Sequence, residues 1–313
     1  MLTVRPDFYD DFRCRAAACR HSCCVSWEID VDEDTLAYYN ALPGELGEAL
    51  RREIDPDPTP HFRLAAGERC PFLRPDGLCR LICELGEESL CDICALHPRF
   101  YNEYPGRVEL GLGLCCEEAA RLLTAGSGPL RLIIEDDGEG EEEPTALLTL
   151  RADIFRLLAA EDMPLTLRME RAAGLMGQGL VPFDARACAA FFLTLERMDA
   201  DWTALLERLA AAPEPAPEPA LSRARYGRIA AYLVYRHFAA APTAEDAAAR
   251  LQFCFYAVRL ICALEAFSDD ALRLFSAEIE YSDENVDKIC AWLANKTKEK
   301  QELTNQKQNL SIP

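Results

Sequence analysis

The sequence lacks the short motifs by which common enzyme classes are identified. Its 313 residues contain no glycine-rich dinucleotide fingerprint, no Walker phosphate loop, no serine-hydrolase elbow and no zinc-protease helix motif. Gly111 and Gly113 form too weak a pattern to indicate a nucleotide site. The segment Cys19-x3-Cys23-Cys24 comes near the Cys-x3-Cys-x2-Cys triplet of enzymes that cleave S-adenosylmethionine reductively, but its spacing differs. Only four histidines are present, which argues against an imidazole-rich site.

Positive charge is also scarce. There are 33 Lys and Arg residues against 53 Asp and Glu, so the net charge is −20. This balance predicts no binding to nucleic acid and no attraction to an anionic membrane. The first residues, MLTVRPDFYDDF, lack the basic and then apolar order of a secretory signal. No purely apolar run reaches the roughly 18 residues of a membrane span. We therefore expect a cytoplasmic protein.

Cysteine, in contrast, is abundant and concentrated near the N-terminus. Eleven of the fifteen cysteines precede residue 117: Cys14, Cys19, Cys23, Cys24, Cys70, Cys79, Cys83, Cys91, Cys94, Cys115 and Cys116. In a reducing compartment, grouped cysteines are more often metal ligands or catalysts than disulfides. The spacing therefore favours a metal or iron–sulfur site, while buried free thiols and disulfides remain alternatives. Among the four histidines, His97, which closely follows Cys94, is the best candidate to touch this metal region, with a surface or structural role as the alternative.

An acidic run separates a cysteine-rich N-terminal part of the sequence from a part with helical periodicity. Residues 1–134 are predicted to be a cysteine-rich, metal-binding domain made largely of loops, and residues 135–144 an acidic linker. The run is typical of a solvated linker, with a docking patch for a basic partner as the alternative. Residues 145–295 are predicted to be an α-helical domain, and residues 296–313 a polar tail. The expected fold class is mainly α.

Apolar residues at three- and four-residue spacing predict most of the helices. The predicted helices are Asp34–Tyr39, Leu46–Glu53, Glu117–Leu123, Ala146–Ala160, Leu165–Met176, Asp184–Glu196, Trp202–Ala211, Ser222–Phe238, Thr243–Phe267 and Ser282–Asn295. Thr243 with Asp246, and Ser282, are predicted N-terminal caps. Val108–Leu114 is a predicted strand. Arg74–Gly77 is a predicted turn that lets the sulfurs of Cys70 and Cys79 approach each other.

Several segments together resemble the flagellin lysine-N-methylase (FliB-like) family. The resemblance spans nearly the whole chain, and its cysteine segments are more specific than its helical ones. The segments that carry it are Phe12–Cys14, Cys19–Ile29 (CRHSCCVSWEI), Cys70–Leu73, Gly77–Arg80, Leu85–Glu87, Leu90–Arg99, Leu114–Leu122, Tyr232–Phe238 and Phe275–Asn285.

The resemblance implies eight metal ligands. They are Cys14, Cys19, Cys23, Cys24, Cys70, Cys79, Cys94 and Cys116. Cys83, Cys91 and Cys115 stand where the family often has other residues, and His97 stands where a tyrosine is expected. Eight thiolates suit one four-cysteine cluster plus a second site, or one cluster with spare thiols. Four-cysteine ligation fits either a [4Fe–4S] cluster or zinc, and the resemblance favours iron–sulfur.

The resemblance also implies an activity, that of a protein-lysine N-methyltransferase that uses S-adenosylmethionine and acts on flagellin. The alternative is an iron–sulfur or zinc protein of electron-transfer or adaptor type. The sequence identifies no catalytic or donor-binding residue, and it leaves the oligomeric state undetermined. Aromatic faces and carboxylates would stabilise a sulfonium cation. Residues of these types are Trp27, Tyr232, Tyr235, Tyr256, Asp30 and Asp32. Core packing is the alternative role for the tyrosines, and a wall beside the cluster is the alternative for Trp27. Arg99 is a candidate partner for a carboxylate or for the cluster's negative charge, with a structural salt bridge as the alternative.

Overall fold

The chain is mainly helical, as predicted. The structure, a computed structural model, describes residues 1–138, 145–212 and 224–310, with side chains as far as residue 298. It is 54% helical and 11% strand. Most of the predicted acidic linker lies outside the described residues, but its first two residues, Glu135 and Asp136, belong to a strand.

The N-terminal region contains a sheet that the sequence analysis largely missed. The strands are β1 (Leu2–Pro6), β2 (Ile54–Asp55), β3 (His61–Phe62), β4 (Arg99–Tyr104), β5 (Arg107–Leu112) and β6 (Leu132–Asp136). Four of them form one sheet in the order β4-β5-β1-β6, in which β1 is parallel to β5 and antiparallel to β6. The strand predicted near residue 108 is β5. The sheet therefore gives residues 1–134 regular structure that the sequence analysis did not predict.

Ten of the described helices were predicted from the sequence, whereas Arg80–Leu85, Asp92–Leu96 and Ala271–Phe275 were not. The described helices are α1 (Glu33–Ala41), α2 (Gly44–Glu53), α3 (Arg80–Leu85), α4 (Asp92–Leu96), α5 (Glu117–Ala125), α6 (Ala146–Leu158), α7 (Leu165–Gly174), α8 (Ala185–Phe192), α9 (Ala200–Ala211), α10 (Ala224–His237), α11 (Ala244–Leu264), α12 (Ala271–Phe275) and α13 (Asp283–Leu310). A π-helical turn, Ser276–Glu280, follows α12. Both predicted caps are confirmed: the Thr243 hydroxyl accepts from the Asp246 N–H, and the Ser282 hydroxyl accepts from the Asn285 N–H. α13 continues beyond Asn295 through most of the predicted tail.

One described helix, α11, is long and apolar enough to cross a membrane by length and composition. Its most apolar window is 89% buried within the protein, where it contacts α10 and α13. Burial on all sides is the property of a core helix in a large helical domain.

Two hydrophobic cores organise the described residues. The larger core joins the sheet to the C-terminal helices, so Val4 and Leu112 are buried in the same cluster as Ile229 and Phe275. Contact is close, since the Tyr235 hydroxyl on α10 lies 2.9 Å from the Leu110 carbonyl oxygen on β5. The smaller core lies within residues 29–91 and packs against several cysteines. The N-terminal region is thus shared between the two cores, and the domain boundary at residue 134 stays a prediction.

Candidate metal centre

Electrostatic interactions connect the predicted ligands as two groups of four, which meet at the adjacent Cys23 and Cys24, whose thiols share a hydrogen bond. The first group, here called the outer set, consists of Cys14, Cys19, Cys23 and Cys116. The Cys23 thiol interacts electrostatically with those of Cys14 and Cys116, and Cys19 interacts with the same two. Cys116 directly precedes α5, so the outer set ties the N-terminal segment to that helix.

The second group, here called the inner set, consists of Cys24, Cys70, Cys79 and Cys94. The Cys70 thiol interacts with those of Cys24 and Cys79, and the Cys94 thiol interacts with Cys24 and Cys70. A backbone bond joins the Cys70 N–H to the Cys24 carbonyl oxygen at 2.8 Å. All four pack in or against the smaller core, so the inner set is the better shielded from water.

Turns and helix starts hold the inner set. The predicted turn is confirmed, since the Gly77 N–H donates to the Arg74 carbonyl oxygen at 3.0 Å. Cys79 directly precedes α3, and Cys94 lies within α4. Asp32 accepts from the Thr35 N–H at 2.9 Å and from the Asp92 N–H at 3.0 Å, so one carboxylate caps α1 and also holds the start of α4.

The cysteines are free thiols and lie near other thiols, as ligands of a metal would. No disulfide forms among the described residues, which include all fifteen cysteines. Over the same described part of the chain, no three His, Cys, Asp or Glu side chains are already arranged as a metal site. Burial, together with the neighbouring thiols, raises the pKa of Cys70 to about 12 and that of Cys19 to about 11. Several adjacent thiolates would repel one another without a cation, and a bound metal removes that penalty.

The three cysteines outside the eight occupy different surroundings. Cys83 is exposed on α3. Cys91 is buried and shares a hydrogen bond with the thiol of Cys94, so it lies beside the inner set. Cys115 instead accepts a hydrogen bond from the Tyr281 hydroxyl. Cys91 is therefore the one of the three that the fold brings nearest to the inner set.

Three aromatic rings lie beside the cysteine-rich segments. The Trp27 ring meets His97 edge to face at 5.5 Å between centroids and Tyr281 at 5.8 Å, with interplanar angles of 85° and 86°. The Trp27 Nε1–H donates to the Cys23 carbonyl oxygen at 2.9 Å. Burial lowers the pKa of His97 to about 4, so its ring is neutral near pH 7. Trp27 thus borders the cysteines, as the sequence analysis suggested.

A buried charge cluster, to which the sequence analysis gave no role, lies behind these rings. Its members are Arg236 and His237 on α10 and Glu280 at the end of the π-helical turn, so it joins two segments of the family resemblance. Glu280 Oε1 lies 2.8 Å from His237 Nε2 and 3.5 Å from Arg236 Nη1. The Arg236 guanidinium carbon lies 4.8 Å from the Phe100 centroid and 4.9 Å from the Tyr281 centroid. Burial raises the pKa of the Glu280 carboxyl, but the Arg236 charge and the hydrogen bond with His237 outweigh it and lower that pKa to about 2.

The weak Gly111-x-Gly113 pattern has a packing explanation. A Cβ on Gly111 would clash with the Phe100 ring. A Cβ on Gly113 would clash with the Tyr281 hydroxyl and approach the Pro98 carbonyl oxygen. Both glycines therefore allow the aromatic residues around Arg236 to pack against β5.

Most other candidate residues belong to the scaffold. Tyr232, Tyr235 and Tyr256 are almost fully buried, and the hydroxyls of the first two bond to strand carbonyls. The Arg99 guanidinium lies over the Phe12 ring at 5.4 Å. Since Asp32 is engaged in capping, of the aromatic and carboxylate candidates only Trp27 and Asp30 remain available to a ligand.

Comparison with known proteins finds relatives of this chain among lysine-N-methylases. No family model matches the chain, and no solved structure matches it. Lysine-N-methylases from Salmonella choleraesuis (strain SC-B67) and Salmonella typhimurium (strain LT2) are each 31% identical to it over 125 residues, which cover 38% of this chain and 31% of theirs. The match thus spans about a third of the length of these relatives.

Flagellar biosynthetic protein FliU from Salmonella muenchen is 31% identical over 129 residues. Those residues cover 38% of this chain and 74% of FliU. The coverage of FliU is high enough to establish kinship, and it agrees with the resemblance drawn from the cysteine segments. The chain belongs to the family that contains FliU and the lysine-N-methylases.

Proposed function

We propose that this protein is a protein-lysine N-methyltransferase that acts on flagellin with S-adenosylmethionine as the methyl donor. The observation that carries the proposal is the 31% identity to proteins named lysine-N-methylase. The name of FliU, a flagellar biosynthetic protein, supports a flagellar substrate. Fifteen cysteines without a disulfide are typical of a reducing compartment, which supports the proposal that the reaction takes place in the cytoplasm.

The reaction sets clear demands on the site. The lysine ammonium, with a pKa near 10.4 in water, must first lose a proton to a base or to water. The neutral amine then attacks the methyl carbon of the sulfonium, forming a C–N bond while the C–S bond breaks and its electron pair returns to sulfur. The products are the methylated ammonium and neutral S-adenosylhomocysteine. A suitable site therefore tolerates a cation on either reactant and limits access of water.

The outer and inner sets supply four thiols each for two metal sites. Cys14, Cys19, Cys23 and Cys116 would hold one group, and Cys24, Cys70, Cys79 and Cys94 the other. An iron–sulfur cluster in such a site supplies one-electron chemistry or cross-links loops, whereas four-cysteine zinc is structural. The proposed methyl transfer requires no electron, so the sets act as a scaffold in it.

An iron–sulfur or zinc protein without methylase activity is the second candidate. It is favoured by the limited overlap, since the match covers only 31% of the lysine-N-methylases. Such a protein would use the two thiol sets for electron transfer or as an adaptor.

Mass spectrometry of flagellin distinguishes the two candidates. The anaerobically purified full chain is incubated with flagellin and S-adenosylmethionine, and the flagellin lysines are examined for gains of about 14 Da, the mass of a CH₂ group. S-adenosylhomocysteine in place of the donor is the control. Donor-dependent methylation supports the transferase, whereas unmodified flagellin with fully loaded metal sites supports the second candidate.

Metal content tests the two-set assignment. Cys14→Ser and Cys70→Ser each disrupt one set and should each remove about half of the bound metal, if each set holds one group. The matched control is Cys188→Ser, a buried cysteine of the larger core that belongs to neither set. Colour and absorbance near 400 nm identify iron–sulfur, and a colourless zinc-loaded protein identifies zinc. If either ligand variant retained full metal, the division into two sets would be wrong.

A further inference from the structure

We propose that Cys91 is a fifth thiol ligand of the inner set, interchangeable with Cys94 at one position of the metal site. The resemblance gave Cys91 no such role, because this residue stands where the family often has another. The inference rests on the inner metal site proposed above and does not depend on the methyl transfer.

Cys91 and Cys94 have the spacing of a metal-binding pair. Two residues separate them, which is a common interval between cysteine ligands. Cys91 directly precedes α4, and Cys94 lies in the first turn of that helix. Their thiols share a hydrogen bond. A metal that one sulfur reaches therefore lies within reach of the other.

Cys91 also lies among the other ligands of the inner set. It is 1% exposed and belongs to the smaller core together with Cys70, and the remaining three ligands pack against that core. The Tyr39 side chain interacts with the thiols of Cys79, Cys91 and Cys94. Cys91 is thus shielded from water by the same residues that shield the inner set.

Contacts from α1 fix the backbone on both sides of Cys91. The Tyr39 hydroxyl donates to the Ser89 carbonyl oxygen at 2.7 Å, two residues before Cys91. The Asp32 carboxylate accepts from the Asp92 N–H at 3.0 Å, one residue after it. Because the chain around the sulfur is already held, little conformational entropy would be lost when a metal binds there.

The backbone near the Cys91 sulfur resembles that near three of the implied ligands. Cys70, Cys79 and Cys116 each interact with the N–H groups two and three residues later in the chain. Cys91 interacts with the N–H of Cys94, three residues later. The sulfurs that precede α3, α4 and α5 make no regular capping hydrogen bond, so their lone pairs stay available. Nearby N–H groups favour the thiolate, which is the form that binds a metal.

The number of positions defines the role of Cys91. A four-cysteine site offers four positions. Cys24, Cys70 and Cys79 lie outside α4 and would occupy three of them. Cys91 and Cys94 are then two thiols for the fourth position, and either one suffices. Cys91 cannot replace Cys70, because that position is held from a different segment of the chain.

Metal content of anaerobically purified full-length variants tests the inference. Cys91→Ser and Cys94→Ser should each retain the metal of the unchanged protein, because one thiol remains for the fourth position. The double variant should lose about half of the bound metal, as is expected of Cys70→Ser.

The matched control combines Cys83→Ser with Cys94→Ser. It also removes two thiols, but Cys83 is exposed on α3, so this variant should keep its full metal. A second double variant with alanine at positions 91 and 94 avoids burying hydroxyl groups and should show the same loss of metal. Unfolding midpoints measured with excess chelator show whether each variant still folds without metal.

Loss of half of the metal in Cys94→Ser alone would overturn the inference, since Cys91 would then not take its place. The same loss in Cys91→Ser alone would contradict the exchange, and full metal in the folded double variants would exclude both thiols as ligands. Failure of the inner site itself is a separate result, in which Cys70→Ser keeps its full metal. Failure of the proposed methyl transfer would leave flagellin unmodified without changing any of these metal contents.

Discussion

Replacing Glu280 by glutamine should destabilise the protein strongly. The carboxylate side chain is 0% exposed and faces Arg236 at 3.5 Å, a separation at which two unit charges attract by about 5 kcal/mol at an effective dielectric constant near 20. Glutamine keeps the shape and part of the hydrogen bonding but leaves a buried guanidinium without a counter-charge. Breaking one side of a buried pair typically costs about 3–5 kcal/mol. For a chain of this size the expected fall in Tm is roughly 5–10 °C.

The effect should depend on pH in a definite direction. The pKa of Glu280 is depressed in the folded protein to about 2, from an ordinary value of 4.5. Its stabilisation is therefore complete above pH 4.5 and is lost as the pH falls toward 2. The difference in free energy of unfolding between the unchanged protein and Glu280→Gln should be constant near neutral pH and shrink below about pH 4.5.

Urea unfolding at several pH values measures this difference. Glu284→Gln is the matched control, because Glu284 lies four residues away, is exposed, and pairs with Lys288 on the surface of α13. No measurable change in midpoint is expected for it. Equal stability of Glu280→Gln and the unchanged protein at pH 7 would refute the reasoning, since Glu280 would then not be an ionised partner of Arg236.

Three further substitutions test the scaffold. Glu109→Gln removes a fully buried carboxylate that bonds to two arginines, and denaturant unfolding should show a loss of about 3–5 kcal/mol; a loss near zero would mean that this ion pair is dispensable. Gly113→Ala should lower the free energy of unfolding by about 1–3 kcal/mol, and with it the Tm, because the added Cβ would clash with the Tyr281 hydroxyl. Gly174→Ala, whose Cβ meets nothing within 4 Å, should leave the Tm unchanged. Tyr235→Phe should cost about 1 kcal/mol through its lost hydroxyl bond to the sheet, and hydrogen exchange of the strand amides should speed up accordingly; unchanged exchange would contradict that role.

Local signals predicted the helices well. The apolar spacing and the Thr243 cap predicted α11. Both signals involve residues within one or two helical turns of each other, so they can be read directly from the sequence. The sheet was different. β1 pairs with β6 through Leu2 and Asp136, which are more than 130 residues apart, and no local pattern reports such a pairing. The burial of both strands against helices becomes visible only in the folded chain.

In the candidate site, too, local sequence signals identified residues but not their long-range contacts. Cysteine spacing and resemblance identified eight thiols as candidate ligands, but their partition follows from the fold, since the adjacent Cys23 and Cys24 share a hydrogen bond and otherwise interact with different cysteines. Tyr281 and Glu280 stood in a family segment without an assigned role. Their place beside Cys115 and Arg236 depends on the π-helical turn and on the packing of α10, neither of which has a short sequence signature.

The peptide bond between Cys23 and Cys24 has a consequence for how the two proposed metal sites would be filled. One residue belongs to the outer set and the next to the inner set, so fixing either sulfur restricts the backbone of the other. Filling the first site should therefore pre-order a ligand of the second, and the two loading events should be positively cooperative. A metal titration would then pass from empty to doubly loaded protein with few singly loaded molecules between them.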